Sequence, residues 1–464
     1  MNTQLNYMIA RQRIAELQRI SERARPLDEV RAGQPNLSQP ASAVSAAARG
    51  RHGWMAVALV LVGAGWGSNQ FTPMLLVYRH ALGLGAGSME AMFGVYALGL
   101  IPGLLAGPLS DAKGRRPLVL AAATASLLGS LLLIAGSRSP TLLYLARFVA
   151  GLGSGAAFSA GTAWLRELSL LAPGSADPTR AARRAAVAMT TGFTIGPLVS
   201  GMLAQWGPAS RVLPYLPHVA FMVAALFASA RLAPETITRR TRLTVSAGLP
   251  AGRSRRRFWR SVAVMAPWVF AAPAVAFAFL PAALGADRLT GGVAVTGAVT
   301  ALTALAGVLI QPAARALDAV RWRWPFGTVG LLVCTAGLVL GAYAVRAGSL
   351  WLLAPCAVVL GCAYGLCLVS GLIEVGRLAR PEAVGSLTSV YYALAYIGFA
   401  TPYLLTLASP LADYQTLLLI LAAAALTSAA AVASAGPPAA NAAVDDRDRG
   451  ALPDNNGVVL DAAG

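Results

Sequence analysis

The chain has 464 residues, 56% hydrophobic and 12% charged, with a net charge of +18 and a mean hydropathy of +0.62. A water-soluble protein of this length needs far more polar surface to cover its core, whereas lipid solvates the outer faces of membrane helices. The basic excess does not mark a nucleic-acid binder, because the arginines lie in short loops between apolar runs instead of on one water-exposed domain.

Residues 1–53 read as a polar, Arg-rich cytoplasmic tail with neither the apolar core nor the cleavage site of a signal peptide. Leu5, Ile9, Leu17 and Ile20 recur at roughly helical spacing among Arg11, Arg13, Arg19 and Arg23. Three readings fit: a basic amphipathic helix on the inner membrane surface, a disordered tail, or upstream sequence from a misassigned start.

Crossing the hydrocarbon core takes about 20 apolar residues. That ruler places spans at 54–78, 89–109, 117–137, 141–164, 184–206 and 212–232, then at 261–284, 291–312, 325–346, 350–374, 384–408 and 411–435. The expected fold is an all-α integral membrane protein of about twelve transmembrane helices. A basic cytoplasmic linker, 233–260, separates a six-helix bundle at 54–232 from a second at 261–435. Residues 436–464 read as a disordered cytoplasmic tail. With both termini inside, the outer loops keep one arginine each at Arg79, Arg138, Arg211, Arg288 and Arg346, out of 37 basic residues. That asymmetry follows the positive-inside rule.

Between spans two and three runs Gly107-Pro108-Leu109-Ser110-Asp111-Ala112-Lys113-Gly114-Arg115-Arg116-Pro117. Gly114 permits a sharp reversal, and Pro117 suits the first turn of the next helix. A positive-inside turn accounts for Arg115 and Arg116. It does not account for Asp111, an acid near a helix C-terminus, where the dipole disfavours negative charge. The stretch resembles the loop signature of the major facilitator superfamily, Gly-x-x-x-Asp-basic-x-Gly-basic-basic, departing from it only at Ala112. The resemblance implies two pseudo-symmetric six-helix bundles and alternating access. It also implies a gating role for Gly107, Asp111, Gly114, Arg115 and Arg116, with the aspartate meeting the start of helix eleven. An anion at a helix N-terminus is worth roughly 0.3–2 kcal/mol, enough to bias a two-state equilibrium. A degenerate echo, Gln311 to Asp318, stands at the repeat position between spans eight and nine.

Span four holds Arg147, followed by Gly151, Gly153 and Gly155. An arginine at this depth faces a polar cavity or partner, or snorkels to the boundary, and the glycines make a close-packing face. The segment resembles the family's fourth-helix signature with Ala150 in place of glutamine, which implies proton coupling at Arg147. Span five reads Gly192-Phe193-Thr194-Ile195-Gly196-Pro197-Leu198-Val199-Ser200-Gly201. This is either a packing kink or a hinge, since Pro197 removes one helix hydrogen bond. It resembles the superfamily's antiporter signature, with Gly192, Gly196, Pro197 and Gly201 in place, and implies export.

In that family spans 1, 4, 7 and 10 line the central cavity. The candidates here are Trp66, Asn69 and Gln70 in span one and Trp268 and Phe270 in span seven, joined by Tyr391, Tyr392 and Tyr396 in span eleven. Asn69 and Gln70 point about 100° apart, so only one of them faces the cavity squarely. No acid stands mid-span, and Glu374, at the inner end of span ten, is the remaining candidate proton carrier. That scarcity disfavours strongly cationic substrates.

No cofactor, metal or enzymatic role is expected. The four cysteines lie in apolar runs, and the only lysine, Lys113, sits in no nucleotide-binding loop. The spans contain neither a His-Glu metal pair nor a Ser, His and Asp set. The sequence therefore predicts a monomeric, multi-pass transporter of the inner membrane, exporting small amphipathic molecules against protons. An importer or uniporter of a small metabolite shares every feature except the span-five signature, and a transporter-like sensor is the remaining reading.

Overall fold

The computed structural model describes residues 41–171, 178–237, 252–319, 326–379 and 384–436. The N-terminal segment read as an amphipathic helix, a disordered tail or misassigned upstream sequence, half of the basic linker and all but the first residue of the C-terminal tail lie outside these residues. The described residues form helices joined by short turns, without strands, and eleven helices are long and apolar enough to cross a membrane. Arg115–Ala135, for example, has 21 residues. At 1.5 Å per residue it spans roughly the 30 Å hydrocarbon core.

The first expected span is not one unbroken helix. Ala41–Asn69 ends, four turn residues follow, and Met74–Leu82 resumes beyond Pro73. The missing proline N–H favours this interruption. Its effect is to set Phe71, fully buried, beside the arginine of span four. Spans two and four run longer than their apolar stretches. Ala106–Lys113 extends the former, and a π-helical turn at Ala157–Gly161 carries the latter on to Leu171.

Small residues set the close packing. A Cβ at Gly151 or Gly155 would lie 2.1 Å from Tyr96 O or 2.3 Å from Leu100 O, so span four rests on the backbone of span two. Gly153 meets span three in the same way, at Ser126 N. In span five, Gly192 and Gly196 contact Val62 O and Trp66 O of span one. Gly201 lies against Gly297 of span eight (Gly292–Leu309). Span eleven repeats the first of these devices, with Gly398 against Pro267 O of span seven. Pro197 lies inside the unbroken helix Pro178–Trp206. The described residues from Gly50 onward form one compact unit.

Candidate functional site

The turn between spans two and three is built around a carboxylate that motif reading did not find. Gly114 has φ +106°, a left-handed value suited to glycine, and a Cβ there would lie 2.7 Å from Glu235 Oε2. Glu235 follows span six and accepts the backbone N–H groups of Arg115 (2.9 Å) and Arg116 (3.0 Å), capping the start of span three. Thr236 N and Ile237 N also donate to it. Burial pushes this carboxyl upward, but the N–H groups of Ile237, Arg115, Arg116 and Thr236 outweigh it and hold Glu235 below the usual carboxylate range.

The resulting stability is fully present above the ordinary carboxylate range and is lost as pH falls through the lowered value. Glu235→Gln is therefore expected to lower Tm by about 1–3 °C at pH 7 and to match the parent in acid, as read by thermal unfolding in detergent.

Arg115 carries the second layer of this turn. Its guanidinium pairs with Asp111, four residues back across the Gly114 reversal, and with Glu167 of span four at 2.9 Å, and it donates to Ser110 Oγ. Thr236 Oγ1 closes the ring by donating to Glu167. Asp111 is half-exposed. The start of span eleven, its expected partner, falls at residues whose side chains are not described.

Arg147 is 1% exposed and does not snorkel. Its guanidinium carbon sits 4.3 Å from the Tyr96 ring centroid, 4.7 Å from Phe71 and 5.7 Å from Phe93. Long hydrogen bonds run to Met92 O (3.4 Å) and Ser68 O (3.5 Å). No carboxylate among the described residues pairs with it. Ring faces stabilise a desolvated guanidinium by about 0.5–2 kcal/mol each, without neutralising it.

At the end opposite the Asp111 loop the two halves meet. Gln205 of span five accepts from Val293 N (3.2 Å) and donates to Thr290 O, clasping the start of span eight. Arg79 lies 3.4 Å from Asp287. Phe93 of span two packs on Phe277 of span seven and Phe399 of span eleven, with centroids 6.0 and 6.5 Å apart.

Between the halves lies a cavity of about 540 Å³ that reaches the Asp111 loop. The first half contributes Ser68, Asn69 and Tyr96 to its deeper wall. The second half faces them with Phe270, Phe277, Tyr364, Tyr392, Tyr396 and Phe399. Phe270 stacks on Tyr396 at 4.5 Å and 13° and on Phe399 at 4.8 Å and 15°, so these three rings of the wall form a parallel aromatic stack.

A model of the Major Facilitator Superfamily matches residues 55–402, three quarters of the chain. The chain belongs to the major facilitator superfamily. Its fold is similar to that of a peptide transporter POT solved in complex with sulfate (TM-score 0.68, 13% identity, covering 83% of this chain and 94% of that one). It is also similar to a POT family transporter in complex with 5-aminolevulinic acid (TM-score 0.65, 14% identity, 82% and 95%). A third similar structure is the nucleoside transporter NupG (TM-score 0.63, 14% identity, 82% and 98%). No curated protein matches in sequence.

Within this major facilitator fold the expected site residues separate. Asn69, Phe270, Tyr392 and Tyr396 line the cavity, as do Gly107, Asp111 and Arg115. Gln70 turns away and donates to Ser130 at 2.7 Å; Ser130 in turn bonds the buried His218. Trp66 packs on Phe221, Trp268 donates to Ser428 of span twelve, and Tyr391 donates to Cys367 O of span ten. Glu374 is held between Arg257 and Arg377, away from the cavity. Tyr96, Tyr364, Glu167 and Glu235 were not singled out from the sequence. Glu235 had one local signal, an acid placed directly after the end of a span.

Proposed function

We propose that this chain is a secondary transporter that exports small amphipathic molecules by alternating access, with the central cavity as its substrate site. One observation carries the reading: the cavity reaches the Asp111 loop while Gln205, Arg79 and Phe93 join the halves at the other end. If the Asp111 loop is cytoplasmic, as the positive-inside pattern implies, this is an inward-open state of the inner membrane protein. Rocking the halves breaks the outer contacts and closes the loop end. Export is favoured by Pro197 and Gly201 of the span-five signature lying on the seam with span eight, where the transition must slide.

Import of a polar metabolite is the second reading, favoured by the peptide and nucleoside transporters that share the fold. Proton coupling rests, in this proposal, on Arg147; the ion pairs of Glu374 argue against it as the carrier.

The test is accumulation of neutral, anionic and cationic aromatic compounds in efflux-deficient bacteria expressing the chain, with and without an uncoupler. Export predicts lowered accumulation that the uncoupler restores. Asp111→Asn is expected to cut transport by roughly twofold to thirtyfold at unchanged expression, the range set by a charge at a helix end. Wild-type transport in Asp111→Asn would remove that residue from the mechanism, and raised accumulation on expression would favour import.

A further inference from the structure

The cavity is chemically lopsided. Among the described residues, Asp111 and Arg115 are the only ionised side chains on its wall, and they pair with each other at the loop end. The deeper part has no carboxylate. It has hydrogen-bond donors instead: the Tyr364, Tyr392 and Tyr396 hydroxyls and the Asn69 amide line the space, and no described protein group accepts from them. Tyrosine and asparagine can also accept, so these groups alone set no charge preference.

Arg147 sets one. Tyr96 lines the cavity on one side and lies 4.3 Å over the guanidinium on the other. Ser68 does the same through its backbone: its residue lines the cavity, and its carbonyl oxygen accepts from Arg147. A permanent cation therefore stands one residue behind the deep wall, desolvated and without an acid partner among the described residues. In a low-dielectric site such a charge acts over several ångströms. The field lowers the energy of an anion in the cavity and raises that of a cation.

We infer that the substrate class is an aromatic monoanion: a planar ring system carrying one carboxylate-like group. The ring packs against the Phe270–Tyr396–Phe399 stack, and the anionic group turns toward the Asn69 amide and the Tyr364, Tyr392 and Tyr396 hydroxyls, on the cavity side of Arg147. The inference rests on the cavity being the substrate site and adds to it the sign of the charge.

Matched probes isolate that sign. Binding of 1-naphthoate, 1-naphthamide and 1-naphthylmethylammonium to the purified full-length protein in nanodiscs, read by equilibrium dialysis, compares one ring with three charges. Naphthoate is expected to bind about tenfold more tightly than the amide, and the ammonium probe more weakly still. Arg147→Gln is expected to erase the preference of naphthoate over naphthamide, read as the ratio of the two affinities in the same variant. Should that variant not fold, Asn69→Asp carries the test, because an added negative charge at the wall should invert the order of naphthoate and the ammonium probe. Phe270→Leu should weaken all three. Equal binding of the three probes, tighter binding of the amide or ammonium probe, or no binding of any overturns the assignment. Transport assays on Asp111→Asn stand apart from this order, so an inverted order with Asp111-dependent transport overturns only the substrate class.

Discussion

Gly297→Val is expected to reduce transport about tenfold to a hundredfold while the protein still inserts and folds. A Cβ at Gly297 would sit 2.4 Å from Pro197 O and 3.3 Å from Gly201 Cα, both on the opposite half. Backbone atoms cannot rotate aside as a flexible side chain can, so the helices must part. Overpacking of this kind costs roughly 1–3 kcal/mol. The cost falls on the state in which spans five and eight touch, not on the internal packing of either half. The variant should therefore populate the opposite conformation and turn over slowly.

Labelling of Gln205→Cys with an impermeant maleimide, in a background lacking the native cysteines, reads this directly. The rate should rise when Gly297→Val is added. Gly94→Val is the control: a Cβ there meets no atom within 4 Å, and transport should change little. Unchanged labelling with Gly297→Val would remove the span-five seam from the gating motion.

Arg147→Gln should have the second large effect. The guanidinium joins three segments at once, through Met92 O in span two, Ser68 O in span one and the ring of Phe71 at the span-one break. Hydrogen bonds to a charged group contribute about 1.5–3 kcal/mol when buried. Glutamine keeps donors but neither the reach nor the charge, so a tenfold to hundredfold fall in transport is expected. Arg147→Lys should recover less than half of it, because an ammonium lacks the planar fork that sits among the three rings and still reaches both carbonyls. The measurement is initial transport rate per folded protein, with fluorescence-detection chromatography reporting folding. Full recovery by lysine would show that charge alone matters at this position.

Much of the helical layout can be read from hydropathy. The span expected at 384–408 is built from the helices Val384–Tyr396 and Thr401–Ala408, and that expected at 325–346 is Phe326–Ala347. Hydropathy marks where lipid contact stops, not where hydrogen bonding stops. For that reason span four runs past its apolar stretch to Leu171, through Arg166 and Glu167. The site was only half legible. Neighbouring residues point about 100° apart, so Asn69 reaches the cavity while Gln70 feeds Ser130 inside the first half. Nothing local fixes that phase. Glu235 accepts from Arg115 N and Arg116 N across 120 and 119 residues, and no local pattern carries such a contact. Arg147 shows the converse: its cost in lipid flags it on sight, but its aromatic cage arises from a helix break the hydropathy profile smooths over.

The cavity wall is divided between two halves that must separate for the cycle to run. A ligand held wholly by the aromatic wall can travel with one half, but one that spans from Phe270 to Asn69 must be released by one side before the other can close. Ligand length then decides between two fates. Compounds short enough to be enclosed in about 540 Å³ are carried, whereas longer ones with the same ring and charge hold the halves apart. Extending an accepted substrate by a rigid arm should thus convert it into a competitive inhibitor, giving a chemical route to trapping the state whose cavity reaches the Asp111 loop.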